Sequence, residues 1–265
     1  MAQRIDLSNT KRSRKTASKF EKIISNENPA KANHTLKYYF KKVLKVLFYL
    51  WLASFITIIL FKFIPVYFTP TMLVRKIEAL KLGEESTIHS QWTPYKQIDS
   101  NCALAVIASE DQRFPSHKGF DFEALQGALK NNLKGKKIKG ASTISQQVAK
   151  NVFLWQDRSY LRKGLEVYFT FMIELIWGKE RILEVYLNVA ETGKMTFGVE
   201  SACRRYFHHS ALEVSKSEAA RIAAVLPNPI RFSIENPSNY VLRRSNSIQR
   251  QMRMLGGKTY LDEIK

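Results

Sequence analysis

The sequence predicts a mainly α-helical protein in which one transmembrane helix precedes a compact helical domain. Three observations predict it. No charged residue occurs from Val46 to Phe61, apolar residues recur at three- and four-residue steps through most of the chain after Pro70, and strand-like alternation is scarce. The uncharged run spans only ~24 Å as a helix, short of a hydrocarbon core of roughly 30 Å. Extended from Val43 to Phe63 it reaches ~31 Å, provided that Lys45 and Lys62 snorkel. A buried core helix is the alternative, but such a helix rarely carries a basic head on one side and aromatic-proline punctuation such as PVYFTP on the other. Residues 1–42 hold eleven Lys or Arg against Asp6, Glu21 and Glu27. That excess places the head on the cytoplasmic side and the remainder across the membrane. The expected organisation is a basic, disordered cytoplasmic segment over 1–42, an anchor over 43–65 and an extracytoplasmic domain over 66–265.

The elements follow in order. After Pro70, Met72, Val74, Ile77 and Leu80 form a short apolar stripe. A helix over Asp99 to Glu110 carries Leu104 and Ile107 into the core, and Asp121 caps FEALQGALKNN before the basic loop LKGKKIKG. Further helices are expected over Thr143 to Asn151, Ser159 to Trp177, Lys179 to Val189, Ser215 to Leu226 and Pro237 to Met254. Cys102 and Cys203 are the only cysteines and provide no disulfide framework. Each sits in an apolar helical setting, where either a buried thiol or one bridge satisfies the sequence. The formal charge is +19, which favours an anionic partner: lipid head groups, nucleic acid or a phosphate-bearing substrate. Its interspersion with acids, as in GKERILE, suits a folded surface better than a nucleic-acid tail.

Chemistry becomes visible in SEDQRFPSHKGFD, residues 109–121. A helix ends at Glu110 and Asp111, and Pro115 and Gly119 turn the chain so that His117 returns toward the acidic pair. A carboxylate at such a rim can take a proton from a hydroxyl. In GASTISQQVAKN, Ser142 and Thr143 precede a helix whose free N–H groups suit an anion, Gln146 and Gln147 add neutral donors, and Lys150 places a cation farther along. Ordinary capping explains the first half equally well, and the phosphate-loop spacing GxxxxGK[ST] is absent. In RKGLE, Arg162 and Glu166 are spaced for an i,i+4 pair. Leu161, Leu165, Tyr168, Met172 and Ile176 share one apolar face, with Glu166 at its boundary. The pair reads either as an exposed bridge or as Arg162 and Lys163 set against phosphate oxygens, with Glu166 orienting them or a divalent ion. KERILEVYLN reads as architecture, with Asn188 touching neighbouring backbone. RIAAVLPNP ends a helix at Pro227 beside a cleft.

In this order and spacing, SEDQRFPSHKGFD, GASTISQQVAKN, RKGLE, KERILEVYLN and RIAAVLPNP resemble the peptidoglycan glycosyltransferase family, most closely its monofunctional biosynthetic transglycosylases. The resemblance covers roughly residues 70–255, and the chain's end at Lys265 leaves no length for a penicillin-binding transpeptidase domain. It implies a lysozyme-like fold with a small membrane-proximal jaw lobe. It also implies polymerisation of lipid II into glycan strands with release of undecaprenyl diphosphate, at the bacterial inner membrane. The family's two essential glutamates match Glu110 and Glu166; Ser142, Gln146, Lys150, Arg162 and Lys163 match positions for substrate or diphosphate, and Asp111, His117 and Asn188 support them. No obligatory cofactor follows, although Mg²⁺ or Mn²⁺ near Glu166 is compatible with the charge. The partners implied are lipid II, the growing lipid-linked glycan, the anionic membrane surface and proteins of wall synthesis or division, with no nucleic acid. A lytic enzyme of related fold, or a tethered anionic-lipid or nucleic-acid binder, are the rival readings.

Overall fold

The computed structural model describes residues 29–133, 142–157 and 159–264. Of the disordered head expected over residues 1–42, residues 1–28 lie outside the described residues, as does most of the loop LKGKKIKG (134–140), whereas residues 29–42 belong to a helix. The chain divides into two compact units, Met1–Thr57 and Ile58–Lys265. The first is dominated by helix α1, Pro29–Phe63, which ends in the second. Within α1, Lys37–Phe63 runs for 27 residues and its most apolar 18-residue window has a mean hydropathy of 2.3; this is ~40 Å of helix, enough to cross a bilayer. Only 6% of its most apolar window is buried, which argues against the core-helix alternative.

The second unit is mainly helical: α2 Pro70–Leu82, α3 Ser100–Glu110, α4 Phe122–Leu133, α5 Ile144–Phe153, α6 Tyr160–Ile176, α7 Lys179–Val189, α8 Val199–Tyr206, α9 Lys216–Val225 and α10 Asn239–Met254. A 3-10 segment, Gly257–Ile264, follows. The start signals legible in the sequence are the caps. Asp99, Thr143, Ser159, Ser215 and Ser238 each accept a backbone N–H of the helix that follows, satisfying one of its orphan donors. Every residue of α3 from Cys102 to Ala108 is buried, so this helix forms the centre, with α9 and α10 against it and α5 against α6 and α7. The Cys102 and Cys203 thiols are free and buried.

Strands are scarce, as expected, and small: β1 His89–Ser90, β2 Glu191–Gly193 and β3 Thr196–Phe197, in the order β1-β3-β2. β1 runs parallel to β3 and β2 antiparallel to it, with a register irregularity between Glu191 and Gly193. Gly198 leads into α8 at φ +83°, where a Cβ would stand 2.6 Å from the Asn188 carbonyl oxygen. Asn188 contacts neighbouring backbone as expected: its Oδ1 accepts the Thr93 N–H at 2.7 Å, and its Nδ2 donates to the Thr93 and Glu184 carbonyls.

Two apolar faces depart from expectation. In α2, Met72 is buried, but Ile77 and Leu80 are exposed. In α6 the buried side chains are Glu166, Phe169, Thr170, Met172 and Ile173; of the expected face Met172 is buried and Leu161 exposed, and Phe171 and Leu175, off that face, are exposed as well. The face expected to be the core is thus partly the outer surface. An amphipathicity argument assumes water outside, and it inverts for a helix that shows an apolar side to something other than water.

Candidate active site

Glu110 ends α3, and its side chain is only 15% exposed. Each of its oxygens has one neighbour. Oε2 accepts from Gln147 Nε2 of α5 at 3.0 Å, and Oε1 faces Arg244 of α10 at 3.6 Å. Burial pushes the Glu110 carboxyl above the ordinary carboxylate range, against the pull of Gln147 and Arg244, and Asp111 pushes in the same direction as burial. The Gln147 amide is itself oriented, because the Tyr186 hydroxyl of α7 donates to its Oε1 at 3.1 Å. Burial, reinforced by Glu110 and Asp111, holds the Tyr186 hydroxyl well above its usual range, so it stays a neutral donor. Gln147 therefore presents its N–H to Glu110. Glu110, Ser142, Gln147, Pro227, Tyr240 and Arg244 help line a cavity of 720 Å³.

Asp111 turns the other way. Its carboxylate accepts from His117 Nε2 at 2.9 and 3.0 Å and from the Ile144 N–H at 3.0 Å. Gly119 N–H donates to His117 Nδ1 at 3.1 Å, which fixes the proton on Nε2. The Thr143 hydroxyl donates to the Gly119 carbonyl at 2.7 Å. These bonds fasten the Pro115–Gly119 turn to the first turn of α5 and hold Gln147 against Glu110. His117 thus returns to one member of the acidic pair, Asp111, and both residues are buried.

A second cavity, of 180 Å³, is lined by Arg75, Gln147, Lys150, Tyr186, Glu191 and others; Gln147 and Pro227 border both cavities. Burial lowers the Lys150 ammonium, Glu166 supports its charge, and Arg162, Lys163 and Arg75 oppose it. Four cations therefore share one electrostatic neighbourhood. Glu166 is 5% exposed, so the exposed-bridge reading of its pair is corrected. Its Oε2 accepts from Arg162 Nη1 at 2.7 Å and its Oε1 from Lys163 Nζ at 2.5 Å. This donor set does not suit a protein-held Mg²⁺ or Mn²⁺, which needs free oxygen ligands. Both Glu166 oxygens already face cations, and no group of three or more His, Cys, Asp or Glu among the described residues could hold an ion.

Of the residues expected at the site, Glu110 and Ser142 share one cavity lining. Lys150, Arg162, Lys163 and Glu166 interact with one another, and Asp111, His117 and Asn188 act as ties between elements. Gln146 goes elsewhere: its Oε1 accepts the Thr143 N–H at 2.9 Å, completing a capping box. Its neighbour Gln147 is the glutamine that meets Glu110. Arg244, Tyr186, Arg75 and Glu191 carried no sequence signal, since each reaches the site from a distant segment. A separate 590 Å³ groove beside β1 and α8 touches none of these groups.

Residues 76–253 match the family model described as Transglycosylase. Among curated relatives, the biosynthetic peptidoglycan transglycosylase of Chromohalobacter salexigens is 52% identical over 211 residues, 80% of this chain and 90% of its own. That of Pasteurella multocida is 52% identical over 227 residues, 85% of this chain and 92% of its own. That of Yersinia pestis strain Pestoides F is 53% identical over 216 residues, 81% and 88% respectively.

Proposed function

The chain belongs to the peptidoglycan transglycosylase family, as a monofunctional biosynthetic member, and from that premise we propose that Glu110 is the general base of lipid II polymerisation. The observation that carries this reading is the pairing of a buried carboxylate, held by Gln147 and facing Arg244, with the cationic cluster of Lys150, Arg162 and Lys163 across Gln147.

In the reaction, Glu110 removes the proton of the 4-hydroxyl of an acceptor GlcNAc as that oxygen attacks C1 of the lipid-linked MurNAc. The C1–O bond to the diphosphate breaks with its electron pair on the leaving group, giving a β-1,4 bond with inversion and free undecaprenyl diphosphate. Burial favours this role, since a carboxyl above its usual range is a stronger base. Lys150, Arg162 and Lys163 stabilise the charge that gathers on the diphosphate, more in the transition state than in the ground state. Glu166 holds Arg162 and Lys163 in place, and Ser142 faces the acceptor side. Gln146 serves the cap of α5 and acts on substrate only through the helix that it starts.

The anchor, taken over 43–65 with the head 1–42 in the cytoplasm, tethers the domain 66–265 outside the inner membrane. The exposed apolar residues of α2 and α6 suit a lysozyme-like domain whose jaw lobe meets lipid, beside anionic head groups and proteins of wall synthesis. Polymerisation of lipid II by the detergent-solubilised full chain tests the reading. Glu110→Gln lowers turnover by about 10²- to 10⁴-fold with folding preserved. A folded Glu110→Gln with wild-type turnover, or inactivity on lipid II coupled to cleavage of sacculi, refutes it.

A further inference from the structure

Arg75 lies on α2, four residues after Thr71 and so on the same face one turn later. The Thr71 hydroxyl donates to the Asn151 carbonyl at 3.4 Å and accepts from Gln156 Nε2 at 2.6 Å, which ties that face of α2 to the end of α5 next to Lys150. Arg75 and Lys150 accordingly line the same 180 Å³ cavity. The guanidinium is held at two of its three nitrogens. Nε donates to Glu191 Oε2 at 3.0 Å, and Nη1 donates to Glu78 Oε2 at 2.9 Å. Nη2 has no partner among the described residues and is not buried. Its N–H groups are open to solvent, on a side chain that is 34% exposed.

A guanidinium fixed at Nε and Nη1 and open at Nη2 is preorganised for an oxyanion, because most of the side-chain entropy is lost before the ligand arrives. Charge points the same way. Arg162, Lys163 and Arg75 all oppose the charge of Lys150, a crowding of cations that is unfavourable alone and turns favourable around a polyanion. A diphosphate offers several oxygens, so Nη2 and the Lys150 ammonium can each take one. Glu191, 9% exposed, is the firm support. Glu78 is 52% exposed, and its bridge to Nη1 is weak enough to yield.

We propose that Arg75 is a further binding residue for the leaving diphosphate: its Nη2 donates to a diphosphate oxygen beside Lys150, while Glu191 holds the guanidinium in place. The proposal rests on the reading of the Lys150 cavity as the diphosphate site. It brings a residue of α2 to a set of cations otherwise carried by α5 and α6.

The test uses the full-length, detergent-solubilised protein and a phosphorus NMR titration with inorganic pyrophosphate as the probe. Arg75→Gln weakens pyrophosphate binding about tenfold, close to the loss of one charge-assisted hydrogen bond, and lowers kcat/KM for lipid II polymerisation about as much. Glu78→Gln acts in the opposite direction: it releases Nη1 as well and tightens pyrophosphate about twofold. Should Arg75→Gln not fold, Arg75→Gln combined with Glu191→Gln removes both halves of the buried pair and carries the same expectation. Wild-type pyrophosphate affinity in a folded Arg75→Gln or in Lys150→Gln overturns the proposal, as does a wild type that does not bind the probe. Equal weakening by Glu78→Gln and Arg75→Gln overturns it too, since the ion pairs would then only brace α2. Wild-type inactivity on lipid II with the pyrophosphate pattern intact refutes the polymerase reading and leaves the anion site standing.

Discussion

Replacing Arg244 by Gln removes the only cation within 4 Å of the Glu110 carboxylate among the described residues. At their 3.6 Å separation, Coulomb's law gives about 4.6 kcal/mol at an effective dielectric of 20 and about 1.2 kcal/mol in bulk water. Arg244 is 28% exposed and Glu110 15%, so solvent screens the pair toward the lower figure, and about 1.4 kcal/mol, one factor of ten, is the expected worth. The sign follows from the charges. Arg244 favours ionised Glu110 and so works against burial; its loss drives the carboxyl still higher. The groups facing Glu110 from the packed elements are Asp111 beside it, Gln147 on α5, Tyr186 on α7 and Arg244 on α10. Arg244 is the cation among them. The acid limb of kcat/KM for lipid II polymerisation therefore moves to higher pH in Arg244→Gln. Below the inflection activity falls about tenfold relative to wild type, and Arg244→Lys recovers most of the displacement. An acid limb that stays in place in a folded Arg244→Gln refutes the argument that Arg244 keeps the base ionised.

Removing the carboxylate of Glu166 leaves Arg162 and Lys163 facing each other without their shared partner, so Glu166→Gln lowers stability by ~2 kcal/mol in denaturant titration as well as lowering polymerisation. Asp111→Ala strips the acceptor from His117 and from the Ile144 N–H; a loss of about 3 kcal/mol follows, and a urea midpoint equal to wild type would contradict it. At Gly198, alanine meets both the φ of +83° and the Asn188 carbonyl. It costs at least about 2 kcal/mol, read as a drop of several degrees in melting temperature.

Much of the helical frame was legible because its signals are local. A cap residue announces itself one position before an apolar period, as Thr143 and Ser215 do, and the apolar run from Cys102 to Ala108 has no other place than a core. Glu110 was legible for the same reason, as a carboxylate at the end of that run. Burial of Glu166 was not, because α6 is apolar nearly all round and periodicity alone gave no reason to prefer the side on which the glutamate lies. The choice between Gln146 and Gln147 depended on which amide the capping box consumes. Arg244 lies in a helix rich in arginine and polar residues, where no single guanidinium stands out. The Arg75–Glu191 pair joins residues 116 positions apart, a closure that no local pattern encodes. The three strands hold two or three residues each, too few to show alternation.

Gln147 and Lys150 stand three residues apart on one short helix. On the proposed mechanism, the step from the amide that holds the Glu110 carboxylate to the nearest leaving-group cation is therefore a rise of ~4.5 Å set by helical pitch. A gauge of that kind does not stretch when loops move. On the proposed mechanism, each round of elongation brings a fresh glycosidic junction to the same fixed rung.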